Sequence, residues 1–257
     1  MENRYYLDLL TLKTEMQFRN YSNSTQTTYY KTVKDFLEVT DKEIIDVTRE
    51  DIIKYLDNNL ELVSINTVLV KLNALEFFFE EILGLEITYN IRKYKRKFKV
   101  KEFLSQEQLN NFIESVPARE RLFYKIIIET GWQAEKTINL EVEHLINKPD
   151  GFYLKDKKIS KDLAREIANY IDKRYIEKYI FYLGDTYIDG SAARYWLRIN
   201  TKAIFGETYT FNDIRHSVAL EMIKKGNEEG AMEYLGVKST GSIRQYYKRA
   251  GYDYTEE

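Results

Sequence analysis

The chain has 257 residues, 44% hydrophobic and 31% charged, enough apolar content to build one large domain or two of ordinary size. It has no cysteine and two histidines, His144 and His216, which excludes disulfides and thiolate metal sites and argues against a histidine-built metal centre. The net charge of −2 is unevenly spread: residues 1–90 carry −7, residues 91–103 carry +6 and residues 104–257 carry −1. Two prolines and 11 glycines are few breakers for this length and favour helices over a turn-rich β architecture. No apolar run reaches the roughly 18 residues of a membrane span. The N-terminus lacks a signal-peptide core. A soluble, cytoplasmic protein with no membrane partner is expected.

In chain order, residues 2–19 place apolar side chains at helical spacing. Ser22 and Ser24 are N-cap candidates for a helix over about 25–39 whose inward stripe is Tyr29, Val33, Phe36 and Leu37. Thr48 with Asp51 reads as a cap on a third helix, REDIIKYLDNN. Residues 64–83 read as a fourth, with Gly84 as terminator. These helices form a first domain over 1–88. Residues 89–103 follow as a linker, in which Arg92, Lys93, Lys95, Arg96, Lys97, Lys99 and Lys101 alternate with Tyr94, Phe98 and Val100. Such a segment neutralises phosphates and gives salt-sensitive affinity for nucleic acid. Read without its neighbours, such a segment is more often a solvated connector. A second domain over 104–257 opens with Ser105 and Gln108 as a capping box. An apolar helix over 119–130 ends at Gly131, and another helix is predicted over 134–142. Residues 147–160, with a Pro-Asp-Gly turn, are the one clear β region. Helices fill the remainder.

Several segments then line up with a known pattern. Thr25, Tyr29 and Phe36, the stretch IDVTREDIIKYL, and Ser64, Thr67, Leu72, Leu75 and Phe78 fall in the first domain. LSQEQL at 104–109, ETGWQAEKTINLEVEHL at 129–145, FNDIRHSVALEMIKKG at 211–226 and LGVKSTGSIRQYY at 235–247 fall in the second. In this order and at these distances they resemble the tyrosine recombinase (phage integrase) family across nearly the whole chain. The resemblance implies a mainly α fold: a helical, SAM-like core-binding domain, and a mixed, mostly helical catalytic-type domain with a small β-hairpin or sheet. It also implies a clamp around duplex DNA, with the basic linker running past the backbone.

The family's chemistry is metal-free, and neither metal nor cofactor is implied. A tyrosine hydroxyl attacks a backbone phosphate, arginines hold the phosphate oxygens, a hairpin lysine protonates the leaving oxygen, and histidines assist. By the match, the nucleophile falls on Tyr246, with Tyr247 beside it as the alternative. Arg215 is the second arginine. His216 follows it and more often supports the fold than does chemistry. Lys155 is the hairpin lysine, with Lys157 second. Four positions depart from the pattern. Gln133 stands where the first arginine belongs, Asn212 replaces a histidine, and Val237 replaces the histidine or tryptophan after Leu235–Gly236. Lys136 also replaces a glutamate. Losing one preorganised donor of this kind typically costs about 10²–10³ in rate.

The expected function is therefore a DNA-associated protein that binds duplex DNA with catalysis impaired or lost. A divergent working recombinase, passing through a 3′-phosphotyrosyl intermediate with charge supplied by Lys136 or Arg244, is the alternative. A helical protein-binding scaffold is the third reading, opposed by the basic segment. Self-association on DNA is implied by the family. The 11 residues after Tyr246 are short for exchanging a C-terminal helix, so a monomer or dimer is expected off DNA.

Overall fold

The structure, a computed structural model, describes residues 4–89, 91, 102–239, 241 and 243. The chain divides into two compact units, Met1–Val100 and Lys101–Glu257. Each has its own hydrophobic core. The expected mainly helical class with a small antiparallel sheet holds.

The first unit is a four-helix assembly: α1 (Tyr6–Phe18), α2 (Asn23–Thr40), α3 (Arg49–Leu60) and α4 (Ile65–Glu76). The starts follow the sequence cues. The Ser22 hydroxyl accepts from the Thr25 N–H, and Thr48 and Asp51 satisfy each other's backbone donors in a complete capping box. Leu9, Leu12 and Met16 meet Val33, Phe36 and Leu37, with Ile52, Leu56, Val68 and Leu72 closing the core. Tyr29, expected on the α2 stripe, is half-buried, its ring edge-on to Tyr21 at 6.0 Å. The predicted helix over 64–83 is not uniform. After Glu76 it widens into a π-helical stretch, Phe77–Ile82. Phe77, Phe78 and Phe79 are all buried, and a wider turn rotates less per residue, so three consecutive rings can face inward. Gly84 ends the element at φ +68°.

The second unit begins with α5 (Gln106–Glu114), opened by the Ser105–Gln108 capping box, and α6 (Ala118–Thr130). Helix α7 (Ala134–Ile138) is shorter than the predicted 134–142, because the chain leaves the helix at Asn139 and forms a single 3-10 turn at Val142–His144. A three-stranded antiparallel sheet follows: β1 (Leu145–Lys148), β2 (Gly151–Leu154) and β3 (Lys157–Ile159), in the order β1-β2-β3. The Pro-Asp-Gly turn joins β1 to β2. Helix α8 (Lys161–Arg174) leads to a small hairpin, β4 (Tyr182–Leu183) with β5 (Thr186–Tyr187), which carries no strong sequence signal. Then come α9 (Gly190–Phe205), α10 (Phe211–Lys224) and α11 (Glu228–Leu235). Phe112 stacks on Tyr124 at 5.2 Å, and Phe123 meets Phe181 edge-on at 5.0 Å, at the centre of a core shared by α5, α6, α8, α9 and α10. Among the described residues no helix is long and apolar enough to cross a membrane.

Candidate functional site

Arg215 is the organising residue. It sits in the second turn of α10 and is 6% exposed, so it is a buried cation and not a surface arginine. Its Nε donates to the Gly131 carbonyl at 2.7 Å, one Nη donates to Asn212 Oδ1 at 2.9 Å, and the other donates to the Leu235 carbonyl at 3.1 Å. One guanidinium thus joins the end of α6, the first turn of α10 and the end of α11. A buried guanidinium left unbonded is costly, and these three acceptors answer that need. They take only part of its donor set.

Gly131 makes this junction possible. It caps α6 in the left-handed region at φ +71°, and a Cβ there would lie 2.2 Å from the Tyr234 carbonyl oxygen. Tyr234 is itself buried on α11, and its hydroxyl donates to the Ile127 carbonyl at 3.2 Å. Burial pushes its phenol well above the ordinary range, so it stays protonated. The start of the unit is fixed to the same helix. The Ser217 hydroxyl accepts from the Leu104 N–H at 3.0 Å and donates to the Asp213 carbonyl at 2.8 Å.

Other described residues singled out by the sequence lie on or beside α7, α10, α11 and the sheet. Gln133 is the exposed N-cap of α7, and Asn212 lies in the first turn of α10. Both line one cavity of about 470 Å³, together with Ala134, Arg194, Arg198 and Tyr209. Lys155 occupies the β2–β3 turn in the left-handed region at φ +53°, and its Nζ donates to Asn139 Oδ1 at 3.3 Å. His216 is half-buried, its ring edge-on to Phe103 at 6.3 Å. Val237 is partly buried against the core. Tyr246, Tyr247 and Arg244 lie outside the described residues, as do Arg92, Lys93, Lys95, Arg96, Lys97, Lys99 and Lys101.

Two lysines, one on α7 and one on β3, are already committed. Lys136 pairs with Asp156 at 2.9 Å and covers the Trp132 ring at 4.3 Å. Its hydrogen bond holds the Asp156 carboxyl below the usual range. Lys157 pairs with Glu233 at 2.7 Å and lowers that carboxyl in the same way. Tyr209, the tyrosine on the cavity wall, donates to Glu207 at 3.0 Å, and burial first and Glu207 second push its pKa up to about 12. It is a poor nucleophile at neutral pH. Arg194 and Arg198 belong to no sequence box. The sequence does not single them out because α9 carries no motif, and only its packing beside α7 brings them to Gln133.

Known proteins are similar to this chain in sequence or in fold. A model of the phage integrase N-terminal SAM-like domain matches residues 9–89. A tyrosine recombinase of Thermosipho africanus (strain TCF52B) is 23% identical over 243 residues, 85% of this chain and 86% of the relative. Residues 9–89 thus match the phage integrase N-terminal SAM-like domain, and the chain as a whole is similar to a tyrosine recombinase. The lambda integrase(75–356) dimer bound to a COC′ core site is similar over 98% of this chain and 98% of that one, at TM-score 0.74 and 16% identity. XerH site-specific recombinase bound to a palindromic difH substrate, in a post-cleavage complex, is similar over 89% of this chain and 77% of that one, at TM-score 0.68 and 18% identity. At these identities the likeness is one of fold.

Proposed function

We propose that this chain is a tyrosine recombinase family member that binds duplex DNA and cleaves it slowly or not at all. The observation that carries the reading is the pair of neutral amides, Gln133 and Asn212, on the wall of the cavity beside Arg215. Phosphoryl transfer needs charge matched at the moment of reaction, and neutral amides offer hydrogen bonds without it. Arg215 brings charge, but it is buried and committed to two carbonyls and Asn212. Ground-state contact with a backbone phosphate survives such losses better than transition-state stabilisation does. The basic segment from Arg92 to Lys101 adds sequence-independent, salt-sensitive affinity. The DNA-bound relatives of the same fold favour duplex DNA over a protein partner.

One observation favours a working enzyme instead. Lys155 is held in the left-handed region on a hairpin turn, a strained position of the kind that active sites retain. Incubation of the full chain with suicide duplexes, nicked beside candidate scissile phosphates, separates the two. The expected outcome is a salt-sensitive gel shift with no covalent adduct. A phosphotyrosyl adduct formed by the unmodified chain and lost on Tyr246→Phe would make it a working recombinase. The absence of any shift would remove DNA binding altogether.

A further inference from the structure

Gln133 leaves the cavity without the cation that the family pattern places there, and the lysines of α7 and β3 do not replace it. Lys136 and Lys157 are paired with Asp156 and Glu233. Helix α9 offers what they do not. Arg194 and Arg198 stand one turn apart on it, both are exposed, and both line the cavity with Gln133 and Asn212. They differ in how far they are engaged. Arg194 donates to Glu135 at 3.2 Å. Arg198 has no carboxylate partner among the described residues, and its guanidinium lies over the ring of Tyr195, 5.5 Å from the centroid. A contact with a ring face leaves the N–H edge of the guanidinium available to an acceptor.

Resting on the DNA-binding reading above, we propose that Arg198, assisted by Arg194, is the phosphate-binding cation of this cavity and takes the place of the arginine absent at position 133. The ligand is a phosphodiester of the duplex backbone. A guanidinium presents two parallel donors that match two phosphate oxygens, which an amide cannot do. Gln133 then adds a neutral donor. Asn212 offers its Oδ1 to Arg215, which leaves its amide N–H groups for the same oxygens. The substitution moves the charge from the N-cap of α7 to the side of α9. The phosphate is therefore gripped from a different direction than in the family pattern, which retains binding while spoiling the alignment that catalysis needs.

The test is equilibrium binding of a fluorescein-labelled duplex of fixed sequence to the full chain, across a salt series. Arg198→Ala should weaken binding on the order of tenfold at low salt and reduce the slope of log affinity against log salt by about 0.9, the signature of one lost phosphate contact. Arg198→Lys keeps the charge and the helix, so it should keep the slope while losing part of the affinity. Gln133→Arg placed in the Arg198→Ala background should restore both slope and affinity, because the cation returns to the same cavity. Arg174→Ala, an exposed arginine on α8 that does not line this cavity, should match wild type. A wild-type slope in Arg198→Ala overturns the assignment while leaving DNA binding intact. So does equal weakening by Arg174→Ala, which would mark a general field effect, or failure of Gln133→Arg to restore binding. If the wild-type chain does not bind the duplex, the DNA-binding reading fails and this assignment fails with it.

Discussion

At the scale of single residues, the junction around Arg215 depends on a position with no side chain. Gly131 combines a left-handed φ with a backbone approach too close for a Cβ. Gly131→Ala should therefore destabilise the second unit by roughly 2–4 kcal/mol, combining backbone strain with overpacking against α11. Chemical denaturation would show it, and a change below about 0.5 kcal/mol, the range of ordinary surface substitutions, would mean that α11 shifts freely and does not fix the junction. Lys155 makes the opposite case. Its φ of +53° is disfavoured for a lysine, whereas asparagine tolerates that region well. Lys155→Asn should raise stability by up to about 1 kcal/mol while lowering affinity for DNA. A variant that loses stability would show that the lysine serves the fold. Resemblance to the tyrosine recombinase boxes is what singles out Arg215, Gln133, Asn212 and Lys155 in the sequence. What Arg215 does is not legible there. Two of its acceptors, the carbonyls of Gly131 and Leu235, are 84 and 20 residues away, and nothing in the sequence pairs them with it.

At the scale of elements, helix starts are readable because caps are local chemistry: an oxygen must lie three residues before the N–H it accepts from. Thr48, Ser105 and Ser160 all behave this way. The widened turn at Phe77–Ile82 is not readable, since a run of phenylalanines fits an ordinary buried helix equally well until the neighbours are known. The α3 cap also carries a pH dependence. Lys42 donates to both Asp51 oxygens at 2.8 Å and, as the largest cause, holds that carboxyl below the usual range; partial burial opposes it and the Thr48 N–H adds to it. A carboxyl whose folded pKa lies below its unfolded value stabilises the fold above the unfolded value, and that stabilisation fades as pH falls through the folded one. Asp51→Asn should cost about 1 kcal/mol at neutral pH, with the gap to wild type closing below about pH 4. Paired denaturation curves at the two pH values check it. A gap that persists in acid would assign the loss to packing.

At the scale of the whole molecule, the two cores share no residue, so each unit should fold alone. The charge pattern marks the break between them, because a run of seven cations within 91–103 cannot enter a core. It does not fix where the first unit stops. The boundary at 88 leaves out Ile91, which is 8% exposed within the first core and whose N–H donates to the Thr88 carbonyl at 3.1 Å. Thr88 is buried as well, and its hydroxyl donates to Glu80 on the π-helical stretch. Ile91 therefore packs into the first core past the boundary that composition suggests. A fragment of residues 1–91 should unfold in one cooperative transition with a helical circular dichroism spectrum. A fragment of residues 1–88 should melt roughly 5–10 °C lower, the effect of uncovering one isoleucine site in a domain of this size. Equal melting temperatures would show that Ile91 contributes nothing to the first core. An unfolded 1–91 fragment would show that the first unit depends on the second for its stability.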